Sequence, residues 1–188
     1  LNDRTSTRLI RIRERTTDLE KIALTNSLSR KISNNQLTID EAKTELIHLR
    51  RASLQYSFFM NFIAAFVACG FFLFMFGGTA SDFWIACLAG GAAFLTFSFV
   101  QKYIQIKFFS EFVASAVVIS IAAIFTKIGI AKNQDIITIA SVMPLVPGIL
   151  ITNAIRDLLA GELLAGMSRG VEAALTAFAI GAGVAIVL

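Results

Sequence analysis

Charged residues are scarce in this chain, and the residues that most often build catalytic and metal sites are scarcer still. Asp, Glu, Lys and Arg together make up 16% of its 188 residues, whereas hydrophobic residues make up 56%. The mean hydropathy is +0.72. A typical soluble domain carries about 25% charged residues, so this chain has too few to cover the surface of one. The composition therefore predicts an integral membrane protein.

Few residues could support enzyme chemistry. The single histidine, His48, has no cluster of metal ligands around it, and the two cysteines, Cys69 and Cys87, lie inside apolar runs. Because disulfides form where an oxidant reaches them and not in hydrocarbon, we interpret both cysteines as small packing residues. The sequence contains no metal site, nucleophile triad or phosphate loop. We therefore expect no enzyme activity, no cofactor and no bound metal.

The charges that are present concentrate ahead of Ser53. We divide the chain there into a cytoplasmic helical segment, 1–52, and a transmembrane domain, 53–188. Basic residues beside an apolar run are typical of a cytoplasmic flank, and they favour contact with anionic lipid over nucleic acid. The basic residues of this segment include Arg4, Arg8, Arg11, Arg13, Arg15, Lys21, Arg30, Lys31, Arg50 and Arg51.

The N-terminal segment has the pattern of two short helices. Thr17 with Glu20, and Thr38 with Glu41, fit capping boxes, in which a hydroxyl and a carboxylate satisfy the free N–H groups of a helix start. The polar stretch 33–36 is typical of a turn. We expect a helical hairpin that packs on itself or on the membrane domain.

Five apolar runs follow, each near the length of about 20 residues that a membrane-spanning helix needs. A polar segment, 156–170, is too short and too polar to span. We therefore expect an all-α integral membrane protein with about five transmembrane helices, the N-terminus inside and the C-terminus outside. Asp82 and Asp135 fall at the expected outer turns, where we interpret them as solvated helix ends. The expected spans are about 54–77, 83–101, 108–126, 136–155 and 171–188.

Small residues recur at helical spacing on two of these spans. Ala86 and Gly90 do so on the second span, and four small residues do so on the fifth. Small residues spaced in this way let helix backbones approach closely, so we favour helix packing over a substrate path. The four residues of the fifth span are Ala173, Ala177, Gly181 and Ala185.

The fourth span contains the motif most informative about function. Pro144 and Pro147 each remove a backbone donor, and Gly148 adds flexibility. A broken helix in hydrocarbon is tolerated only where protein or a water-filled cavity satisfies its freed backbone groups, and such helices form binding sites in many transporters. The alternative is a simple proline kink without a ligand.

The polar segment after this break carries charges of both signs. Asn153, Arg156 and Asp157 lie within about one helical turn, so they can share a face or pair. The segment is either a loop anchored by ion pairs or the polar lining of a pathway. Glu111 and Glu172 lie near the expected inner ends of the third and fifth spans. Ionisable groups at membrane depth are functional candidates. The alternative is that these two side chains extend to the interface or form ion pairs.

These residues resemble the threonine/serine exporter (ThrE) family, and more narrowly its larger, N-terminal component. The resemblance extends over nearly the whole chain. It is strongest in the run 143–148 and the polar residues behind it, and it includes the cytoplasmic pattern before the first span. The matching residues behind the run are Asn153, Arg156, Asp157, Gly161, Glu162, Gly166, Arg169 and Glu172, and the cytoplasmic pattern comprises Arg15, 18–19, 26–29 and 37–42.

The resemblance implies export of threonine and serine across the cell (inner or plasma) membrane, driven by the proton motive force. It also implies a hetero-oligomer with a second membrane subunit, which resembles the C-terminal half of the fused exporters. Dicarboxylate (succinate) export and a non-transporting structural subunit are the alternatives, with a passive channel as a weaker one. Our candidates for substrate binding are Pro144, Pro147, Gly148, Asn153, Arg156 and Asp157, and those for proton coupling are Asp157, Glu162, Glu111 and Glu172.

Overall fold

The structure, a computed structural model, describes residues 19–51, 56–104, 106 and 108–188. Within these ranges the regular structure consists of eight α-helices and one short 3-10 helix, without a strand. The prediction of an all-α fold is confirmed. The helices form two compact units, one ending at Tyr56 and the other beginning at Ser57.

The first unit is a helical hairpin. α1 (Leu19–Ser33) and α2 (Ile39–Arg51) pack against each other and bury Leu28 and Ala42. The chain reverses through the predicted polar turn, in which Asn35 has a φ of 55°. Asparagine tolerates this left-handed conformation better than most residues, so the turn and its sequence agree.

The start of α2 has the predicted capping box. The N–H of Thr38 donates to Glu41 Oε2 at 2.9 Å, and the Thr38 hydroxyl donates to the same oxygen at 2.7 Å. These hydrogen bonds, first that of the backbone N–H and then that of the hydroxyl, lower the pKa of the Glu41 carboxyl below its usual value. The other predicted box requires Thr17, which lies outside the described residues.

The second unit is made of long apolar helices. α3 (Phe58–Met75), α4 (Phe83–Tyr103), α5 (Phe109–Lys127) and α8 (Leu163–Ala185) are each long and apolar enough to cross a membrane. Between α5 and α8 lie α6 (Gln134–Val142) and α7 (Gly148–Leu159). Together these two shorter helices make a fifth crossing if they are counted as one bent span.

α6 lies at the centre of the second unit and packs against α3, α4 and α5. Its first part joins a buried cluster with Leu73 and Ile85. Its end, Val142, joins a second cluster that contains Ala93 and Val118. These two residues lie near the middle of α4 and of α5, so α6 ends roughly halfway along its neighbours.

α3 and α4 approach each other through two interlocking small-residue contacts. A methyl group at Gly90 would overlap Cys69 Sγ, and one at Gly70 would overlap Cys87 Sγ. Both thiols are buried and free. The predicted packing role of the cysteines, and that of Gly90 on the second span, is confirmed.

α8 packs through a different face from the predicted one. Ala173 is buried, but Ala177, Gly181 and Ala185 are exposed. The prediction for these three residues is wrong within this chain. A helix repeats every 3.6 residues, so steps of four drift by about 40° each and leave the contact face. The residues that α8 buries are Gly166, Ala173, Thr176, Ala179, Ile180 and Gly183.

Asp82 is not a solvated terminus. Its side chain is fully buried, and its carboxylate accepts hydrogen bonds from the Thr79 hydroxyl at 3.0 Å and the backbone N–H of Lys132 at 2.9 Å. The prediction failed because its partner lies fifty residues further along the chain. Asp135, at the start of α6, is exposed as predicted.

Candidate functional site

The fourth span is interrupted in its middle. After α6 the chain makes a single 3-10 turn over Met143–Leu145 and then starts α7 at Gly148. Pro144 and Pro147 lack the N–H groups that would continue an α-helix through this stretch. The two helical segments are bent by 62° from each other. The break predicted from the prolines and the glycine is therefore present.

Two hydrogen bonds tie Ser141, just before the break, to the neighbouring helices. The buried hydroxyl of Ser141 donates to the carbonyl of Ala86 on α4 at 3.2 Å. The Cys69 thiol on α3 in turn donates to the carbonyl of Ser141 at 3.7 Å. Both contacts join the end of α6 to the helices around it, so the segment before the break is fixed within the protein.

The break itself lies at the surface of this chain. Pro144, Val146 and Gly148 are exposed, and so is Ile149 in the first turn of α7. The N–H of Gly148 bonds only locally, to the carbonyl of Val146 at 2.8 Å. Irregular backbone at membrane depth needs a protein or aqueous environment. This surface therefore has the character of one that faces a cavity or another subunit.

α7 and α8 form a tight hairpin directly after the break. Gly161, with a φ of 85°, ends α7 in the left-handed conformation that glycine adopts without strain. Gly166 packs so closely on Leu158 that a methyl group there would overlap it. α8 begins at Leu163, upstream of the expected start of the fifth span at 171. The polar segment 156–170 is therefore mostly helical and not a loop.

An ion pair joins the two helices of this hairpin. Arg169 Nη1 on α8 donates to Asp157 Oδ2 on α7. Only 15% of the Asp157 side chain is exposed, compared with 38% of that of Arg169. Ala154, one turn before Asp157, is buried and lies beside Gly170. The pair is thus held at a close contact between helices, where it is partly shielded from solvent.

The other candidate residues of this region differ in exposure. Asn153 is partly buried and precedes Asp157 by four residues, which places both on one face of α7. Arg156 and Glu162 are exposed. Asp157 thus pairs across the hairpin with Arg169, while Arg156, its neighbour in sequence, points away.

Glu111, in the first turn of α5, and Glu172, on α8, lie at different levels of the membrane unit. Glu111 precedes Phe112, whose carbonyl lies against Gly183 near the end of α8. Glu172 is about three turns, or roughly 16 Å, before Gly183 on the same helix. Both glutamates are partly buried. Of the two, Glu172 is the one in the half of α8 that packs on α7.

Arg169 is the functional candidate that sequence reasoning did not single out. Its place in the polar segment was evident, but its pairing requires knowledge of how α7 folds back on α8. Among the described residues, no group of three or more His, Cys, Asp or Glu side chains could hold a metal ion. The polar chemistry of the region therefore includes an interhelical ion pair, an amide and further carboxylates.

Comparison with known proteins gives the context of these features. A family model, ThrE, described as Putative threonine/serine exporter, matches residues 1–188, the whole chain. No curated protein and no solved structure matches the chain. Within the described residues, four to five helices suited to crossing a membrane accompany this match. The chain is a multi-pass membrane protein, and it belongs to the ThrE family of threonine/serine exporters.

Proposed function

We propose that this chain is one subunit of a transporter that exports threonine and serine from the cell, driven by the proton motive force. The family supports the substrate class. The observation that carries the mechanism is the ion pair of Asp157 and Arg169, which joins the second half of the broken span to α8. The proposed location is the inner or plasma membrane, with the N-terminus in the cytoplasm.

An amino acid zwitterion matches the two charges of this pair. Its carboxylate can bind Arg169, as a bidentate partner of the guanidinium. Its ammonium group can bind Asp157, and Asn153 on the same face can accept a further hydrogen bond. The free N–H groups at the start of α7 offer a second place for the carboxylate. Substrate binding would then replace the interhelical pair and loosen the contact between α7 and α8.

Proton coupling follows if the proton and the substrate compete for the carboxylate of Asp157. This carboxylate can hold a proton or the substrate ammonium, but not both. Proton entry and amino acid exit would therefore alternate at one group, as in an exchanger with a single shared site. Glu162, at the turn of the hairpin, and Glu172, on α8, are the other acids that could carry the proton.

We further propose that the transporter is completed by a second membrane subunit, in a hetero-oligomer. The exposed break between α6 and α7 supports this, since lipid alone cannot satisfy irregular backbone. The exposed small residues Ala177 and Gly181 on α8 support it as well, because such residues allow a helix of another chain to approach closely.

Reconstitution of the chain with this subunit into proteoliposomes tests the proposal. Threonine and serine flux should follow an imposed proton gradient and should collapse when the gradient is dissipated. Asp157→Asn should abolish the gradient dependence, whereas Asp135→Asn, at an exposed acid outside the hairpin, should not. Gradient-driven flux that survives in Asp157→Asn would remove Asp157 from the coupling step.

The same assay distinguishes the alternatives. Flux of succinate without threonine or serine would identify a dicarboxylate exporter. Full activity of the second subunit alone would make this chain a structural subunit. Flux that ignores a dissipated gradient would indicate a passive channel. Each of these results contradicts the proposed exporter at a different step.

A further inference from the structure

A groove of about 740 Å³ lies on the outer surface of α4, where it meets the start of α3. Its walls are mostly apolar and aromatic, but one end carries an ammonium group and hydroxyls. This volume falls in the range of cavities that hold small molecules. The lining residues are Phe58, Leu95, Thr96, Ser98, Phe99, Lys102 and Tyr103.

The groove follows from the helical spacing of its residues. Leu95, Ser98, Phe99 and Lys102 recur at intervals of three and four, so they lie along one face of α4 over about 10 Å. Phe58 forms the opposite wall, and its ring packs on Phe94 with 5.4 Å between the centroids. The groove is therefore built by two helices of the membrane unit.

Most of these side chains are free to meet a ligand. Leu95 is 45% exposed and Phe99 is 65% exposed. On a helix that crosses a membrane, such a surface contacts acyl chains. The apolar length of the groove therefore suits a hydrocarbon chain that lies along α4.

The polar end of the groove suits a negatively charged group. Lys102 Nζ lies 5.9 Å from the centre of the Tyr103 ring, and this ring stands 4.6 Å from that of Phe99. The two rings are tilted by 44° to each other, and the ammonium group lies beside this aromatic pair. Within the part of the chain that the structure describes, no carboxylate forms an ion pair with Lys102. Lys102 is exposed, so its ammonium group can contact an outside partner.

We propose that this groove binds one anionic phospholipid of the surrounding membrane. One acyl chain lies along Leu95 and Phe99, and the phosphodiester contacts Lys102. Ser98, one turn earlier on the same face, donates to an ester carbonyl of the lipid. Lysine near a helix end extends toward the head groups, and aromatic rings anchor the same level of the bilayer. The apolar length of the groove is complementary to an acyl chain, and the positive charge of Lys102 is complementary to the lipid phosphate.

Native mass spectrometry of the purified chain in detergent tests this site. The chain is titrated with phosphatidylglycerol and with phosphatidylcholine of the same acyl composition. We expect phosphatidylglycerol to bind more tightly than phosphatidylcholine. Lys102→Gln should reduce the ratio of the two affinities about fivefold, because one lysine near an anionic surface contributes about that much. Lys127→Gln, at an exposed lysine outside the groove, is the matched control and should retain the preference.

Two further arms make the result decisive. Phe99→Ala should weaken binding of both lipids, because it removes the apolar floor and leaves the charge. Glycerol 3-phosphate, which has the charge without acyl chains, should not displace the bound lipid. Equal binding of the two lipids by the native chain, an unchanged preference in Lys102→Gln, or displacement by glycerol 3-phosphate would each overturn the proposal.

Discussion

The carboxylate of Asp82 accepts a hydrogen bond from the backbone N–H of Lys132 at 2.9 Å, across fifty residues of sequence. Asp82 ends the turn between α3 and α4, and Lys132 lies in the connection that leads into α6. The bond therefore fixes the start of the broken span to the neighbouring turn. Thr79 donates to the other oxygen of the same carboxylate, so both oxygens are occupied.

Asp82→Ala should destabilise the membrane unit by about 1–3 kcal/mol, the usual cost of a buried donor without a partner. Thermal unfolding in detergent, followed by tryptophan fluorescence, measures this loss. Trp84 is the single tryptophan of the chain and lies two positions after Asp82, so the signal reports on this turn.

Asp82→Asn is the control for this prediction, because an amide retains an oxygen that can accept from the N–H of Lys132. It should lose less stability than Asp82→Ala. Equal unfolding temperatures for the native chain and Asp82→Ala would show that the bond contributes nothing to the fold.

The fold of the apolar helices could be predicted because its signals are local. Runs of apolar residues located the crossing helices, and Pro144 with Pro147 located the break. Asp82 was misjudged for the opposite reason, since its burial depends on a partner in another connection. A charge beside a turn is usually solvated, and nothing adjacent to Asp82 in the sequence indicates otherwise.

The start of α8 was missed for a related reason. Glu162 and Arg169 made the segment before Val171 look too polar for a spanning helix. Arg169 is neutralised by Asp157 on α7, and such pairing between helices cannot be inferred from a single run of residues. The polar candidates could be located in the sequence, but which of them meet depends on the hairpin.

Gly183→Ala should destabilise the fold, whereas Gly181→Ala should not. A methyl group at Gly183 would overlap the Phe112 carbonyl and Ser115 Oγ on α5, but one at Gly181 meets nothing within 4 Å. Overpacking of this kind typically costs about 1–3 kcal/mol. Unfolding temperatures of the two variants in detergent check the difference, and equal values would contradict the close contact of α5 and α8.

Gly181→Leu extends this comparison to the proposed second subunit. The substitution should leave the fold of the isolated chain intact, because the site is open. It should reduce co-purification with the second subunit if α8 presents Ala177 and Gly181 to that partner. Trp84→Leu changes another exposed position and is the control. Undiminished co-purification of Gly181→Leu would place the interface elsewhere.

Acidification should loosen the start of α2. The pKa of Glu41 is lowered by its hydrogen bonds to the Thr38 N–H and hydroxyl, so its contribution to stability is present above the usual pKa of a glutamate. The contribution is lost as the pH falls through the lowered value. Hydrogen exchange of residues 39–42 in the full chain, corrected for intrinsic rates, should accelerate in that range.

Glu41→Gln should remove this additional pH dependence, and Glu45→Gln, later in the same helix, should retain it. An identical exchange profile for the native chain and Glu41→Gln at every pH would show that the capping box does not hold the helix start in solution.

Reversing the ion pair of the α7–α8 hairpin separates its structural role from its proposed role in transport. Asp157→Arg and Arg169→Asp each place like charges together and should lower stability, while the double variant should recover about 1–2 kcal/mol, between the values for exposed and buried pairs. Transport should remain lost in the double variant, because α7 would then present a cation where the substrate ammonium and the proton are expected. Unfolding temperatures and gradient-driven threonine flux measure the two effects. Recovery of both together would reduce the pair to a structural contact.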